Sequence, residues 1–407
     1  MKASPRCRSR RLLYVVTHPM SAERLLDGQL RWMAAAGYEV GVVSAPGTEL
    51  TRVAERERVQ TFTVPLVREI EWVSDLRALI ALVRLMREWK PDVVNAGTPK
   101  AGLLGMIAAW IVRVPVRIYV LRGLRLETVS GLKRAVLSTT ERIASSCAHR
   151  VLAVSESLAA RYVEAGLAER MKVSALAHGS SNGIDATRFS SPDSGAVLDL
   201  RSRLELEVDA PVIGFVGRFT RDKGLPELIE AFGRVRSWIP RAKLLLVGSP
   251  EAGDPVPESV MNAMHQDPAI KLAGFLDDPA TAYALMDVLA FPSHREGFSN
   301  VVLEANAAGV PVVGARATGT LDAVLDGVTG RLVPVGDADA LADALIEYLL
   351  DPSLRALHGE AARLRVEAYF PREVLWTALA AEYDSLLAKY GLDSPSSRQH
   401  SISIPGP

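Results

Sequence analysis

Cysteine is nearly absent: Cys7 and Cys147 are the only two in 407 residues, and a pair so far apart offers neither a disulfide framework nor metal-ligand spacing. A reducing compartment fits that usage, and the cytoplasm is the expected location. Charge of one sign is lacking as well. The 47 Lys and Arg residues balance 47 Asp and Glu, which removes any global argument for nucleic acid as a partner and leaves recognition to local charge. Long hydrophobic runs are missing too. The longest, Ala101 to Val112, is closed by Arg113 and Pro115, short of the roughly 20 residues that a bilayer span needs, so it reads as a buried or interfacial helix. The N-terminus MKASPRCRSRR is basic like the start of a signal peptide, but the apolar segment behind it stops at Val16 before Thr17, His18 and Pro19 and reads as a first strand. There is no solenoid-period repeat, and the only low-complexity stretch is the tail SPSSRQHSISIPGP, expected to be disordered.

Apolar residues make up 48% of the chain, ample for burial, and the length suggests two domains of roughly 100 to 200 residues each. Short β-branched runs alternate with segments of helical period: LLYVV, a helix through Leu26, Leu30 and Met33, then YEVGVVS, followed by DVVNA, VRIYV and VLAVS. That alternation predicts parallel sheets built of βαβ units. After a polar stretch from Asn182 to Asp209 a second set begins, with VIGFVGR, KLLLVG, IKLAG, DVLAFPS and VPVVGA. The expectation is an α/β chain of two Rossmann-like, doubly wound domains facing a central cleft. Residues 1–10 read as a basic extension, 11–188 as the first domain, 189–370 as the second, 371–390 as a terminal amphipathic helix and 391–407 as the tail; which domain that helix joins is open. Leu225, Leu228, Ile229, Phe232 and Val235 fall on one helical face, which should pack on the second sheet.

Two segments of the second half carry chemistry. GRFTRDKG, Gly217 to Gly224, lies directly after a strand and before a helix. Glycine at the carboxyl end of a parallel strand lets backbone approach a ligand, and Arg218 and Lys223 supply two cations to an anion there, a diphosphate being the natural candidate. REGFSNVVLEANAAG, Arg295 to Gly309, holds Glu296 in a loop and Glu304 about one turn into a helix that opens near Ser299. The two carboxylates therefore do not share a face and suit two hydroxyl-bearing parts of one extended ligand. Backbone N–H groups of Phe298, Ser299 and Asn300 would point at a phosphate with the helix dipole behind them.

Together with the following GVPVVGARATGTLDAVLDGVTGRLV, these segments resemble the carboxyl-terminal domain of retaining family 4 glycosyltransferases, a GT-B family. The resemblance implies that Arg218 and Lys223 hold the donor diphosphate, Glu304 the ribose and Glu296 the donor sugar. Arg218, Lys223 and Glu296 would be catalytic, and Gly217, Gly297, Phe298, Ser299 and Asn300 would join donor binding. Gly274, Phe275 and Leu276 would border the base, and the Gly319 and Thr320 region would lie beside the site. In the first half, HPMSAERLLDGQLRWMAAAGYEV, VVNAGTPKAGLLGMIAAW, YVLRGLRLE and SSNGIDATRF are similar to the branch acting on polyprenyl-diphosphate-linked sugars in capsular, exopolysaccharide and N-glycan precursor assembly. On the acceptor side the candidates are His18, Arg122 and Arg125. Arg122, Arg125, Lys133, Arg134 and Arg142, beside Leu132, Val136, Thr139 and Ile143, suit an acceptor diphosphate and peripheral contact with an anionic membrane surface. One departure stands out: many relatives carry histidine where this chain has Arg122, and another shortly after the strand ending at Asn95, where this chain has none.

The implied reaction is transfer of a sugar, with retention, from a nucleotide-diphosphate donor to a hydroxyl of a lipid-linked acceptor. A uridine diphosphate sugar, with an N-acetylhexosamine as a candidate, is the expected donor. Neither a metal nor a cofactor is called for. Another GT-B enzyme, such as a nucleotide-sugar 2-epimerase or a cytosolic glucan synthase, and a non-catalytic nucleotide-sugar-binding protein remain as alternatives.

Overall fold

The computed structural model describes residues 9–67, 71–251 and 253–392. Most of the basic extension and nearly all of the predicted tail lie outside the described residues. The chain divides into two compact units. One holds the residues up to Asn182 together with those from Arg372 onward, and the other spans Gly183–Pro371.

In the first unit β1 (Arg10–Val15), β2 (Tyr38–Ser44), β3 (Gln60–Thr63), β4 (Val93–Gly97), β5 (Val116–Leu121), β6 (Arg150–Ala153) and β7 (Val173–Ala175) form a sheet ordered β3-β2-β1-β4-β5-β6-β7. In the second, β8 (Val212–Val216), β9 (Lys243–Val247), β10 (Ile270–Gly274), β11 (Val288–Phe291), β12 (Val312–Ala315) and β13 (Gly330–Val333) are ordered β10-β9-β8-β11-β12-β13. Every pairing described in both sheets is parallel. Both units are thus Rossmann-like and doubly wound, as the alternation of strand and helix predicts. The central strands β4, β8 and β11 are buried almost throughout because helices cover both sheet faces, which is why they read as unbroken apolar runs.

Three strands were not predicted: β3, β7 and β13. All are edge strands of three or four residues. An edge strand pairs on one side only and needs no continuous apolar run, so QTFT, VSA and GRLV carry little signal.

The helix Leu225–Trp238 buries Leu225, Leu228, Ala231, Phe232 and Val235, and these join Ile213, Leu244, Leu246, Val288 and Leu345 in the second unit's core. Ala101 to Val112 lies in the helix Pro99–Val112, which buries Ala101, Leu104, Met106, Ala108 and Ala109 and leaves Trp110 and Ile111 exposed near its end.

The helix Arg372–Lys389 settles the open question of its partner by packing in the first unit. Its Tyr383 hydroxyl accepts from Asn95 Nδ2 at 2.5 Å and donates to the Tyr14 hydroxyl at 3.3 Å. Trp376 Nε1 donates to Asn182 Oδ1 at 2.7 Å, Tyr38 donates to Asp384 at 2.7 Å, and Arg150 pairs with Glu382 at 2.6 Å. The last long helix thereby ties the end of β4 to β1 and β6.

A second buried polar network lies behind β5. Glu141, on the helix Gly131–Cys147, accepts from the Tyr119 hydroxyl at 2.9 Å and the Tyr162 hydroxyl at 3.1 Å. Burial pushes its carboxyl up to about 7, against the pull of those two donors. A carboxyl whose pKa is raised by folding favours the native state fully below its unfolded value near 4.5, and that advantage is lost as pH rises through about 7. Glu141→Gln keeps an acceptor for both tyrosines without the ionisation. Its stability should therefore gain on the parent from pH 5 to pH 8.5, reaching on the order of 1–3 kcal/mol at the alkaline end and read as a widening Tm difference. A gap that stays constant over this range in paired thermal melts would show that Glu141 does not titrate there.

Candidate functional site

In a doubly wound sheet, the loops leaving the two strands at which the order reverses diverge to opposite faces and leave a crevice at their carboxyl ends. In the second unit those strands are β8 and β11, and the two segments singled out from sequence are the loops that leave them. GRFTRDKG turns back at Arg221–Lys223 into the helix Leu225–Trp238. Gly224 makes that turn possible. Its φ is +72° and a Cβ there would stand 2.2 Å from the Pro292 carbonyl oxygen, so the β8 loop lies directly on the backbone leaving β11.

This contact brings Lys223 and Glu296 together as an ion pair across the reversal point, both side chains mostly buried. The Ser293 hydroxyl donates to Glu296 Oε1 at 2.8 Å, and the Lys223 ammonium stands 5.7 Å from the Phe291 ring centre. Backbone holds Glu296 as well: its N–H donates to the Thr318 oxygen at 3.1 Å. Gly319 closes on the same turn, since at φ +78° its Cβ would meet the Gly297 oxygen at 2.5 Å. Arg218 is half exposed and pairs with Glu251, a residue that sequence reasoning passed over.

Beneath the Lys223–Glu296 pair, Asp222 ties the two loops together. It accepts from the Thr220 hydroxyl at 2.6 Å and from Arg295 at 2.8 Å, and its carbonyl accepts the His294 N–H at 2.8 Å. Burial raises its carboxyl pKa, but the Thr220 hydroxyl and the charges of Arg295, Lys223 and Arg218 outweigh that and hold it below the ordinary range. His294 faces Glu227 at 2.8 Å, and His265 sits 2.7 Å from the Met261 carbonyl oxygen.

The helix Asn300–Ala307 begins where the residues predict, with Ser299 as N-cap accepting the Val302 N–H at 3.4 Å. The N–H groups of its first turn have no acceptor within the helix. Phe298 is buried against Phe370, ring centres 5.5 Å apart, which anchors the turn before the cap. Glu304 takes the Tyr283 hydroxyl at 2.8 Å. Burial, and then that carboxylate, hold the hydroxyl well above its ordinary pKa, so it stays a donor. Gly217 follows β8, its N–H on the Val247 oxygen at 2.9 Å. Gly274 ends β10 and accepts from Gly248 at 2.9 Å, with Phe275 exposed beside it and Leu276 next in the chain. Every donor-side candidate therefore belongs to the second unit, at or beyond the carboxyl ends of its strands or, for Asn300 and Glu304, in the helix that follows β11. Ser293 lay within the DVLAFPS run but its role did not show there, and Tyr283 gave no local signal.

The acceptor-side candidates lie in the first unit. His18 is exposed and caps the helix Pro19–Leu25, its Nδ1 accepting the Met20 N–H at 3.3 Å. Arg125 opens the short 3-10 turn Arg125–Thr128 and is exposed. Arg122 departs from the basic surface expected of it. Its side chain turns inward beside Gly97, and Nη1 donates to the Ser181 carbonyl at 3.2 Å. Arg134 and Arg142 cap the carbonyls of Leu126 and Gly166 at 3.1 and 3.0 Å. At this sheet's own reversal point, between β1 and β4, Thr98 holds φ +74° and ψ +145°, a conformation that β-branched residues avoid. Its hydroxyl lies 2.7 Å from that of Thr17 and accepts the Thr17 N–H at 3.2 Å.

Comparison with known proteins agrees with this layout. Residues 22–177 match a family model described as glycosyl transferase 4-like domain, and residues 210–351 match glycosyl transferases group 1. The chain is 38% identical over 380 residues to the capsular polysaccharide biosynthesis glycosyltransferase CapM of Staphylococcus aureus, covering 93% of this chain and 98% of that protein. It is 25% identical over 325 residues to the UDP-Gal:alpha-D-GlcNAc-diphosphoundecaprenol alpha-1,3-galactosyltransferase of Escherichia coli, covering 79% and 82%. Among solved structures, HepE of Anabaena in complex with UDP and glucose superposes with a TM-score of 0.77 at 23% identity, covering 92% of this chain and all of that one.

The close approach of the two loops is open to a direct test. Gly224→Ala forces a Cβ onto the Pro292 carbonyl and should lower the Tm by several degrees. Gly233→Ala, in the middle of the next helix with open space around it, should raise stability by about 0.5–1 kcal/mol. Equal Tm shifts for the two variants would mean that the loops do not meet as described.

Proposed function

Because the chain belongs to the glycosyltransferases built of a 4-like and a group 1 domain, and so acts on nucleotide-sugar donors, we propose that it moves a sugar, with retention, from a uridine diphosphate donor to a hydroxyl of a polyprenyl-diphosphate-linked sugar. The product would serve surface polysaccharide assembly. The observation that carries the reading is the Lys223–Glu296 pair at the reversal point of the second sheet, beside the start of the helix Asn300–Ala307. A donor diphosphate meets Lys223, Arg218 and the first-turn N–H groups there, while Glu304 takes ribose hydroxyls and Glu296 the sugar. Gly217 and Gly297 leave room for backbone to approach, and Gly274, Phe275 and Leu276 border the base. The name of the diphosphoundecaprenol galactosyltransferase supports a UDP donor and a lipid-linked acceptor, and that of CapM supports surface polysaccharide synthesis.

Cleavage of the anomeric bond puts negative charge on the leaving phosphate, and a fixed cation near it lowers the barrier. Lys223 is such a cation. Glu296 is held by Lys223 and Ser293 and is assigned to the sugar; the family resemblance implies front-face attack by the acceptor hydroxyl. His18, Arg122 and Arg125 belong to the acceptor side.

Membrane contact is part of the same proposal. Among the described residues no helix is long and apolar enough to cross a membrane. The helix Trp72–Trp89 exposes Trp72 at 82%, Val73 at 66%, Leu76 at 58% and Ile80 at 43%, with exposed Arg77, Arg84 and Arg87 along it, a pairing that suits the interface of an anionic bilayer.

Three measurements test these statements. Purified protein given UDP- and GDP-sugars with a polyprenyl-diphosphate-sugar should extend the lipid by one sugar, read by mass spectrometry; conversion of the donor without an acceptor would indicate an epimerase instead. Lys223→Ala should lower turnover by about a hundredfold, roughly 3 kcal/mol, while unfolding stays cooperative, and a wild-type rate would overturn the diphosphate assignment. In flotation assays the protein should rise with anionic vesicles, less so at high salt or with Trp72→Ser and Leu76→Ser combined; no association with the parent protein would remove the membrane contact.

A further inference from the structure

The first unit contains a pocket at the carboxyl end of its sheet, and its chemistry differs from the diphosphate site. Its polar lining is Arg122, Gln29, Asn95, Ser180 and Ser181, set against an apolar wall that includes Leu375 and Leu379 of the last long helix. Arg122 is the only charged residue in that lining.

The surroundings of Arg122 are unusual for a cation. Among the described residues, the side-chain contact found for it is the 3.2 Å bond from Nη1 to the Ser181 carbonyl, and its Nε is enclosed without an acceptor. No carboxylate among the described residues pairs with it. Burial pulls its pKa down to about 10, countered only by the hydroxyls of Tyr14 and Tyr383. A half-buried guanidinium with an enclosed, unbonded Nε and no counter-charge is costly, and such groups persist where something else completes them. The fold keeps the position clear for it: a side chain at Gly97 would stand 3.1 Å from Nε. Asn95, whose Nδ2 is held by Tyr383, and Gln29 add neutral polar groups to the same lining.

A diphosphate carries at least two charges, and sites for it collect several cations or a row of backbone N–H groups. One arginine among neutral amides and hydroxyls, with an apolar wall, suits a single planar carboxylate. We propose that this pocket receives a carboxylate on the acceptor sugar, so that the acceptor ends in an acidic residue of the uronic acid type. The inference rests on the glycosyltransferase reading for the word acceptor but not for the binding itself.

Calorimetric or NMR titration of the full chain with methyl glucuronide, methyl glucoside and inorganic pyrophosphate tests it. The glucuronide should bind about tenfold or more tightly than the glucoside, the preference should vanish in Arg122→Gln, and Arg122→Lys should retain part of it. Thermal melts and UDP affinity of the variants separate loss of the carboxylate contact from loss of the fold. Equal binding of glucuronide and glucoside by the parent protein would overturn the proposal, as would pyrophosphate displacing the glucuronide in an Arg122-dependent way, which would make this a phosphate site. Failure of the parent protein to bind UDP would instead count against the donor reading and leave the carboxylate result standing.

Discussion

Parallel strands that emerge side by side and then send their loops to opposite faces leave a gap that nothing in the sheet can fill, and this geometry governs what the second unit can do. The strand ladder gives out there, and the loops just beyond Val216 and Phe291 bring side chains to the gap while their backbone bonds to adjoining loops, as Phe219 does to Ser249 and Glu296 to Thr318. This chain fills the place with an ion pair. Lys223 and Glu296 are both mostly buried, and either alone would be an uncompensated charge; together they hold two loops from distant parts of the sequence in register. The Gly224 turn, the Ser293 hydroxyl and the Asp222 contacts all serve that alignment.

The arrangement also explains how a cation can wait for an anion without being locked away. Lys223 has one carboxylate partner, and that partner has a second donor in Ser293. If a phosphate oxygen draws Lys223 toward it, Glu296 keeps Ser293 and the backbone bond to Thr318 and is not left bare. Arg218 stands in a looser relation to Glu251, half exposed to solvent, where screening makes such a pair weak and exchange easy. The two cations therefore differ in kind: Lys223 is placed by the fold, Arg218 by a contact that solvent can replace.

Much of this was legible because it is local. The strand-loop-helix pattern around Gly217 to Gly224 and the Ser299 cap before Asn300 follow from residue types within a few positions, and both appear as predicted. The strands with two neighbours were legible because burial on both faces writes an apolar run. What sequence did not disclose depends on contacts made across the fold. Edge strands β3, β7 and β13 need no such run; Glu251 and Tyr283 reach Arg218 and Glu304 from separate loops and helices; and the last long helix joined the first unit through Trp376, Tyr383 and Asp384, none of which advertises its partner. Arg122 is the most instructive case. Arg125, Lys133, Arg134 and Arg142 further along the chain suggested a charged surface, whereas its own position two residues past Val120 at a buried strand end turns it inward.

That inward turn separates the two units in chemical character. The second unit gathers Lys223, Arg218 and a helix start, a combination that suits a multiply charged group; the first offers one inward-turned guanidinium among neutral polar groups and, at its own strand reversal, a strained Thr98 held by Thr17. Strain of this kind, about 1–3 kcal/mol for a non-glycine residue with positive φ, survives only where the surrounding structure fixes it. Here two threonine hydroxyls and the amides of Thr17 and Ala101 do so. A sparsely charged recess discriminates by shape and by single hydrogen bonds, not by attraction alone. Two sheets that reverse strand order in the same way thus end differently: paired charge gathers beyond the strands of the second unit, and neutral polar groups around one arginine beyond those of the first.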